Sequence, residues 1–171
     1  TLSDYKIVLD KFGEVELCNY INLNNNDKIF VLSMRNHPQI KKWMHNQEDI
    51  SEKNHIAFIK NLKNDVKKRY FLVKYKDNII GSINFSEIDI NNSVIFGIYT
   101  NPFIQFKGAG LILESTASHY AFINLGVIKI QLEVLASNAR AINFYNKCGF
   151  TEVTKKKTNY KNILYMEKKT L

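Results

Sequence analysis

The chain has 171 residues, 45% hydrophobic and 23% charged, an ordinary globular balance that suits one domain with its own core. No apolar run reaches the roughly 18 residues a membrane-spanning helix needs, and Asp4, Asp10 and Glu14 interrupt the N-terminal apolar residues, which excludes a secretory signal. The net charge of +8 admits a nucleic-acid binder or a site for anionic small molecules, but the lysine runs at 41–42, 67–68 and 155–157 fall in different elements without an RNP-like motif, zinc-finger spacing or basic helix, which favours an anionic metabolite.

In chain order, a β-rich opening over about 5–20 leads through the polar stretch NLNNND into a helix. There Ile29, Phe30, Val31, Leu32 and Met34 are mostly buried, and Pro38 stops the helix. A short helical turn is expected over 39–44, with Trp43 packing inward. Ser51 then caps a helix through Leu62 that turns Ile56, Phe58 and Ile59 inward. Residues 69–75 and 79–85 flank KDN and predict a hairpin, with 87–92 as the turn into a third strand at 93–100. A helix over about 108–125, a strand at 129–135 and a second helix over about 139–147 follow. The end, 151–157 and 161–168 around Thr158-Asn159-Tyr160, reads as a final hairpin.

The strand–helix–strand run at 93–135 is a crossover unit, so its two strands are expected to be parallel inside an otherwise antiparallel sheet. The expected fold class is therefore α+β, a single domain over 1–171 with a mixed, mostly antiparallel sheet flanked by helices. Cys18 and Cys148 lie far apart with no metal-type spacing and read as reduced thiols in a cytoplasmic protein; no metal site is expected. The chain opens on Thr1 and not on methionine, consistent with removal of one or more residues ahead of it.

Two segments carry chemistry. The first, IYTNPFIQFKGAG, sets Gly108 and Gly110 at the start of a helix. The first N–H groups of a helix lack intrahelical partners, and its dipole favours an anion there. Glycines remove the Cβ atoms that would keep an anion away. The amides of Phe106, Lys107, Gly108, Ala109 and Gly110 are then a pyrophosphate cradle, or the glycines merely let helix and sheet pack closely; both readings stand on the turn alone. No GxxxxGK[ST] occurs, and no third glycine completes a dinucleotide fingerprint.

The second segment, NARAINFYNKCGF, follows the strand KIQLEVL. Ala141, Phe144, Tyr145 and Cys148 share one helical face, which directs Tyr145 toward the sheet as a core aromatic or as a functional phenol. Asn138 is in position to cap that helix.

Together the two segments resemble the GNAT acetyltransferase superfamily. Gln105-Phe106-Lys107-Gly108-Ala109-Gly110 matches its Q/R-x-x-G-x-G/A pattern, and Asn138, Ala141, Tyr145, Gly149 and Phe150 match N-x-x-A-x-x-x-Y-x-x-x-G-F. Phe106 departs from the glycine that many members carry. The resemblance implies that the two parallel strands splay to admit acetyl-CoA. Its pyrophosphate would lie on the amides of 106–110 with Gln105 at the edge, and its pantetheine arm along Ile98 and Tyr99. Asn138, Ala141 and Phe144 would complete that site. Tyr145 would give a proton to the departing sulfur, and Glu133 is the first candidate for the base, because the strand at 93–100 holds no glutamate; its other reading is an ordinary ion pair.

The N-terminal half, through MRNHP, NHIAFIKNL, RYFLVKYKDNIIGSINF and FGIYTNPF, is similar to the amino-sugar nucleotide acetyltransferases of pseudaminic acid biosynthesis. Those enzymes acetylate the 4-amino group of a UDP-linked 4-amino-4,6-dideoxy sugar for flagellin glycosylation. That resemblance implies acceptor contacts from Arg35, His55, Asn84 and Tyr99. Arg35 alternatively closes its helix, and His55 alternatively packs. The implied partners are small molecules, with no nucleic acid and no membrane, and a homodimer stands open beside a monomer. A protein N-terminal or ribosomal-protein acetyltransferase, or a non-catalytic CoA-binding module, is the alternative function.

Overall fold

The structure, a computed structural model, describes residues 3–154 and 162–170. The β-rich opening is two strands. In β1 (Tyr5–Leu9) Ile7 and Leu9 alternate inward, and β1 pairs antiparallel with β2 (Gly13–Asn19). A single 3-10 turn, Tyr20–Asn22, leads to α1 (Asn25–Arg35), which starts where the Asn24 side chain accepts from the Asp27 N–H at 2.8 Å. Pro38 opens α2 (Pro38–Lys41) instead of merely closing the helix before it. At the first helical position the missing N–H has no partner to lose. The Ser51 hydroxyl caps α3 (Glu52–Leu62) at 3.1 Å, as expected.

The middle of the chain is β3 (Arg69–Tyr75), β4 (Asn78–Asp89) and β5 (Ser93–Thr100). β4 runs on to Asp89, into the predicted turn at 87–92, because a bulge with Glu87 at φ 47° absorbs one residue and lets Asp89 pair with Ser93; the turn itself is confined to 90–92. After α4 (Ala109–His119) the helix loosens into a π-type turn, Tyr120–Asn124. Then come β6 (Lys129–Leu135), α5 (Ala139–Lys147), β7 (Thr151–Val153) and β8 (Ile163–Lys169). The strands β7 and β8 pair antiparallel, while the expected turn at Thr158-Asn159-Tyr160 lies outside the described residues.

The eight strands form one sheet in the order β1-β2-β3-β4-β5-β6-β8-β7, antiparallel except for β5 beside β6. One face carries a large core, with Ile83, Phe85, Val94, Phe96 and Ile130 packed under Leu113, Ala117 and Tyr120 of α4 and its extension. The other face carries a smaller core, where Val31 and Met34 of α1 and Ile59 and Leu62 of α3 meet Leu72. α4 lies tight on the sheet at Gly81: a Cβ there would stand 2.2 Å from the Tyr99 carbonyl oxygen and 2.8 Å from Leu113 Cδ1.

Three side chains depart from expectation. Ile56 and Ile29 face solvent, since α3 docks through His55, Ile59 and Leu62 and α1 through Val31, Leu32 and Met34. Trp43 is exposed, with the Lys42 ammonium 5.2 Å above its ring, because α2 ends at Lys41 and leaves it on a loop.

Candidate active site

Ser93, Val94 and Ile95 of β5 pair with Lys129, Ile130 and Gln131 of β6, and there the ladder stops. Both strands run on, to Thr100 and Leu135, without pairing to each other. Their facing backbone edges are left open to whatever enters the wedge between them.

Past the wedge the chain folds back through a loop that Asn101 holds. Its Nδ2 donates to the Ile79 carbonyl at 2.8 Å, and its Oδ1 accepts from the Phe103 N–H at 2.9 Å. Gly108, in the left-handed region at φ 81°, turns the chain into α4 without any side-chain cap. A Cβ on Gly108 would meet nothing within 4 Å, and one on Gly110 would meet the Phe144 ring at 3.6 Å. The Ala109 N–H already donates to the Phe106 carbonyl at 3.1 Å. That narrows the expected run of free amides, while Gly110 and Leu111 present first-turn N–H groups with no intrahelical partner. Gln105 and Lys107 are exposed at the edge, and Phe106 packs edge-on against Tyr75 at 5.8 Å. An uncapped, glycine-lined helix start beside an open wedge fits a phosphate-bearing group with an extended arm.

α5 brings its own groups to the same place. Asn138 caps it, Oδ1 accepting from the Ala141 N–H at 3.2 Å. The Tyr145 ring meets Phe96 of β5 at 6.0 Å, Phe150 at 5.6 Å and Phe144 at 5.5 Å. Phe96 is the first β5 residue beyond the last β5–β6 pair, so the phenol stands at the root of the wedge. Burial raises its pKa well above the usual tyrosine value, and the neighbouring Cys148 and Glu114 add to the shift. Behind it, the buried Glu114 carboxylate accepts from Ser118 and from the Lys168 ammonium, both at 2.7 Å. Burial and then Glu114 push the Cys148 thiol up to about 11.

The opposite face of the wedge is polar. Tyr99 lies with its hydroxyl 3.5 Å from that of Tyr20, which in turn hydrogen-bonds Ser82. Burial raises the Tyr99 pKa, partly offset by those hydroxyls and by the Arg35 charge. Arg35 donates from Nη2 to the Asn46 carbonyl at 2.6 Å, but its Nη1 is buried with no hydrogen-bond partner. Asn84 lies against Gly97, where a Cβ would stand 2.9 Å from its Oδ1. Glu133 projects from β6 to His45 Nε2 at 3.2 Å.

His55, expected among acceptor contacts, is buried between α1 and α3, with Nε2 at 2.8 Å from the Lys28 carbonyl. Burial lowers its pKa, so it ties the helices together as a neutral ring and holds the helix that carries Arg35. Sequence reasoning misses Tyr20, Ser82 and His45. Strand alternation places Ser82 beside Tyr99, since the two are cross-strand partners, whereas no local signal marks a histidine on an irregular loop. Among the described residues no group of three or more His, Cys, Asp or Glu is placed to hold a metal ion, and no helix is long and apolar enough to cross a membrane.

Comparison with known proteins places this geometry. The model of the acetyltransferase (GNAT) family matches residues 27–150. Acetyltransferase PseH of Campylobacter jejuni subsp. jejuni serotype O:23/36 (strain 81-176) is 36% identical over 137 residues, 80% of this chain and 85% of that protein. The crystal structure of Campylobacter jejuni N-acetyltransferase PseH in complex with acetyl coenzyme A superposes with a TM-score of 0.75 at 29% identity, over 92% of this chain and 99% of that one. Spermidine N-acetyltransferase from Vibrio cholerae, in complex with CoA and spermine, gives a TM-score of 0.75 at 26% identity, over 90% of this chain and 94% of that one.

Proposed function

We propose that this chain, which belongs to the acetyltransferase (GNAT) family, transfers the acetyl group of acetyl-CoA to the 4-amino group of a UDP-linked 4-amino-4,6-dideoxy sugar. Bound in the wedge, the thioester supplies the acetyl group and a thiolate leaving group. The chain's own part begins at α4, where Gly108 and Gly110 admit a pyrophosphate to the first-turn N–H groups, with Gln105 and Lys107 at its rim. The unpaired edge of β5 at Ile98 and Tyr99 offers hydrogen bonds to an extended amide arm, and α5 closes on it through Asn138, Ala141 and Phe144. Tyr145, which packs against Phe96 beside the wedge, is assigned as the donor to the sulfur as it leaves.

The acceptor is assigned to the opposite face. One observation carries the choice of a nucleotide sugar: the buried Arg35 Nη1 has no partner. A buried guanidinium N–H left unsatisfied costs on the order of 1–3 kcal/mol, which a diphosphate oxygen would recover with a charge-assisted bond. Tyr99 and Asn84 then flank the sugar on the strand floor. A polycation such as spermidine would meet a like charge at Arg35.

The deciding experiment follows free thiol while the protein is offered acetyl-CoA with a UDP-4-amino sugar, an N-terminal peptide or spermidine. Release with the sugar alone is the expected result. Release with peptide or spermidine but not sugar overturns the acceptor, and CoA binding without release to any amine marks a non-catalytic module.

A further inference from the structure

The loop between α2 and α3 carries His45, which neither the cofactor wedge nor the acceptor contacts use. His45 Nε2 stands 3.2 Å from Glu133 Oε2 and so joins that loop to β6. The loop is anchored one residue further on, where Arg35 donates to the Asn46 carbonyl. It is anchored again at Ile50, whose N–H and carbonyl both bond the Asn36 side chain, at 2.8 and 2.9 Å. Glu133 lies two residues past Gln131, the last β6 residue to pair with β5, so the contact sits where the strands have parted. Leu132 and Val134 turn into the core beneath α4, which leaves Glu133 on the other face of the sheet, the one Tyr99 shares.

We propose that His45 and Glu133 form a carboxylate–imidazole dyad in which His45 Nδ1 takes a proton from the incoming ammonium. The proposal rests on the reading of the chain as an amine acetyltransferase and supplies the base that reading lacks. With Nε2–H donating to Glu133, the imidazole lone pair lies on Nδ1. An ammonium has no lone pair with which to attack until one proton leaves. A lone carboxylate, ordinarily titrating near pH 4, is a weaker match for that task than an imidazole, ordinarily near 6.5.

The protons balance. One ammonium N–H bond breaks as an N–H bond forms on Nδ1, and Glu133 neutralises the resulting imidazolium. The free amine then forms its C–N bond to the acetyl carbon as the C–S bond breaks, and the sulfur takes the phenolic proton of Tyr145. The second nitrogen proton restores Tyr145 through water, and His45 returns its own to solvent, leaving amide, thiol and one released proton. The titratable groups on the elements that carry or anchor the pair are Arg35 of α1, which bonds the Asn46 carbonyl, Lys41 of α2 paired with Asp49 at 2.8 Å, Lys42 and Glu48 on the loop, and Tyr165 of β8 opposite Glu133 in register.

The test compares His45→Gln, Glu133→Gln and the double variant in thiol release between about pH 6 and 9, with nitrogen NMR of the histidines in the unliganded protein. His45→Gln is expected to lower kcat/KM about 100-fold near pH 7, after which the rate climbs with pH along the acceptor amine's own ionisation. The double variant should fall no further than His45→Gln, as members of one unit do. In the unliganded spectra His45 should be the Nε2–H tautomer, and Glu133→Gln should mix the tautomers. A His45→Gln rate within about threefold of wild type with its pH profile intact overturns the dyad, and so do additive losses. A tautomer mixture unaffected by Glu133→Gln overturns it without reference to any acceptor. If the wild type acetylates a different amine, the sugar reading falls, and the same profiles on that amine still decide the dyad.

Discussion

At the scale of single residues, one atom often serves the fold while its residue is assigned to the chemistry as well. Asn138 Oδ1 caps α5, and the asparagine is also assigned to the pantetheine arm. The sequence shows that an asparagine belongs there but cannot separate the two uses, because both require it at the start of the helix. Tyr145 separates more cleanly. Its ring contacts with Phe96, Phe144 and Phe150 belong to packing, and only its hydroxyl is assigned to the proposed proton transfer. Tyr145→Phe keeps the ring and removes the proton. It is expected to leave CoA affinity within about twofold and to lower kcat about 100- to 1,000-fold, read by calorimetry and by saturation kinetics. Turnover equal to wild type would remove Tyr145 as the donor. His45 lies beyond the reach of sequence reasoning, because its partner Glu133 is 88 residues away on β6 and no periodicity links a loop to a strand.

Elements are legible where local pattern and tertiary packing agree. The bounds of β3, β5, β6 and α5 follow directly from alternation, helical spacing and caps. They are misread where packing chooses among local options: Pro38 begins a helix, the Glu87 bulge carries β4 to Asp89 and shortens the expected turn, and α3 docks through His55, Ile59 and Leu62, which leaves Ile56 outward. The glycine turn belongs to the legible group, and its assigned work can be tested apart from its structure. Gly108 adopts φ 81° with open space where a Cβ would point. Gly108→Ala is therefore expected to cost about 1 kcal/mol in stability through strain alone. It should also weaken CoA about tenfold, because its methyl group enters the cradle. Gly110→Ala keeps the helix, its Cβ reaching the Phe144 ring at an ordinary 3.6 Å, and isolates the effect on the ligand. Denaturant midpoints and calorimetric Kd values read the two effects separately. An unchanged Kd in Gly108→Ala would place the pyrophosphate elsewhere.

For the whole molecule, net charge is the property that sequence states outright and structure then localises. A charge of +8 draws polyanions from a distance, but scattered lysines in water are screened beyond about 10 Å at 0.1 M salt. Arg35 differs, because its guanidinium is partly buried beside Tyr99 and its Nη1 lacks a partner. Attraction and recognition should therefore respond to salt in different ways. With the UDP-4-amino sugar, kcat/KM should fall about three- to tenfold between roughly 50 and 500 mM salt while kcat at saturation holds, since screening weakens the encounter and spares the bound geometry. Arg35→Gln should raise the KM for the sugar at every salt concentration and leave the slope nearly unchanged, because one charge in a field of 24 basic residues contributes little at a distance. A salt slope that vanished in Arg35→Gln would mean that a single contact, and not the field of the whole domain, draws the acceptor in.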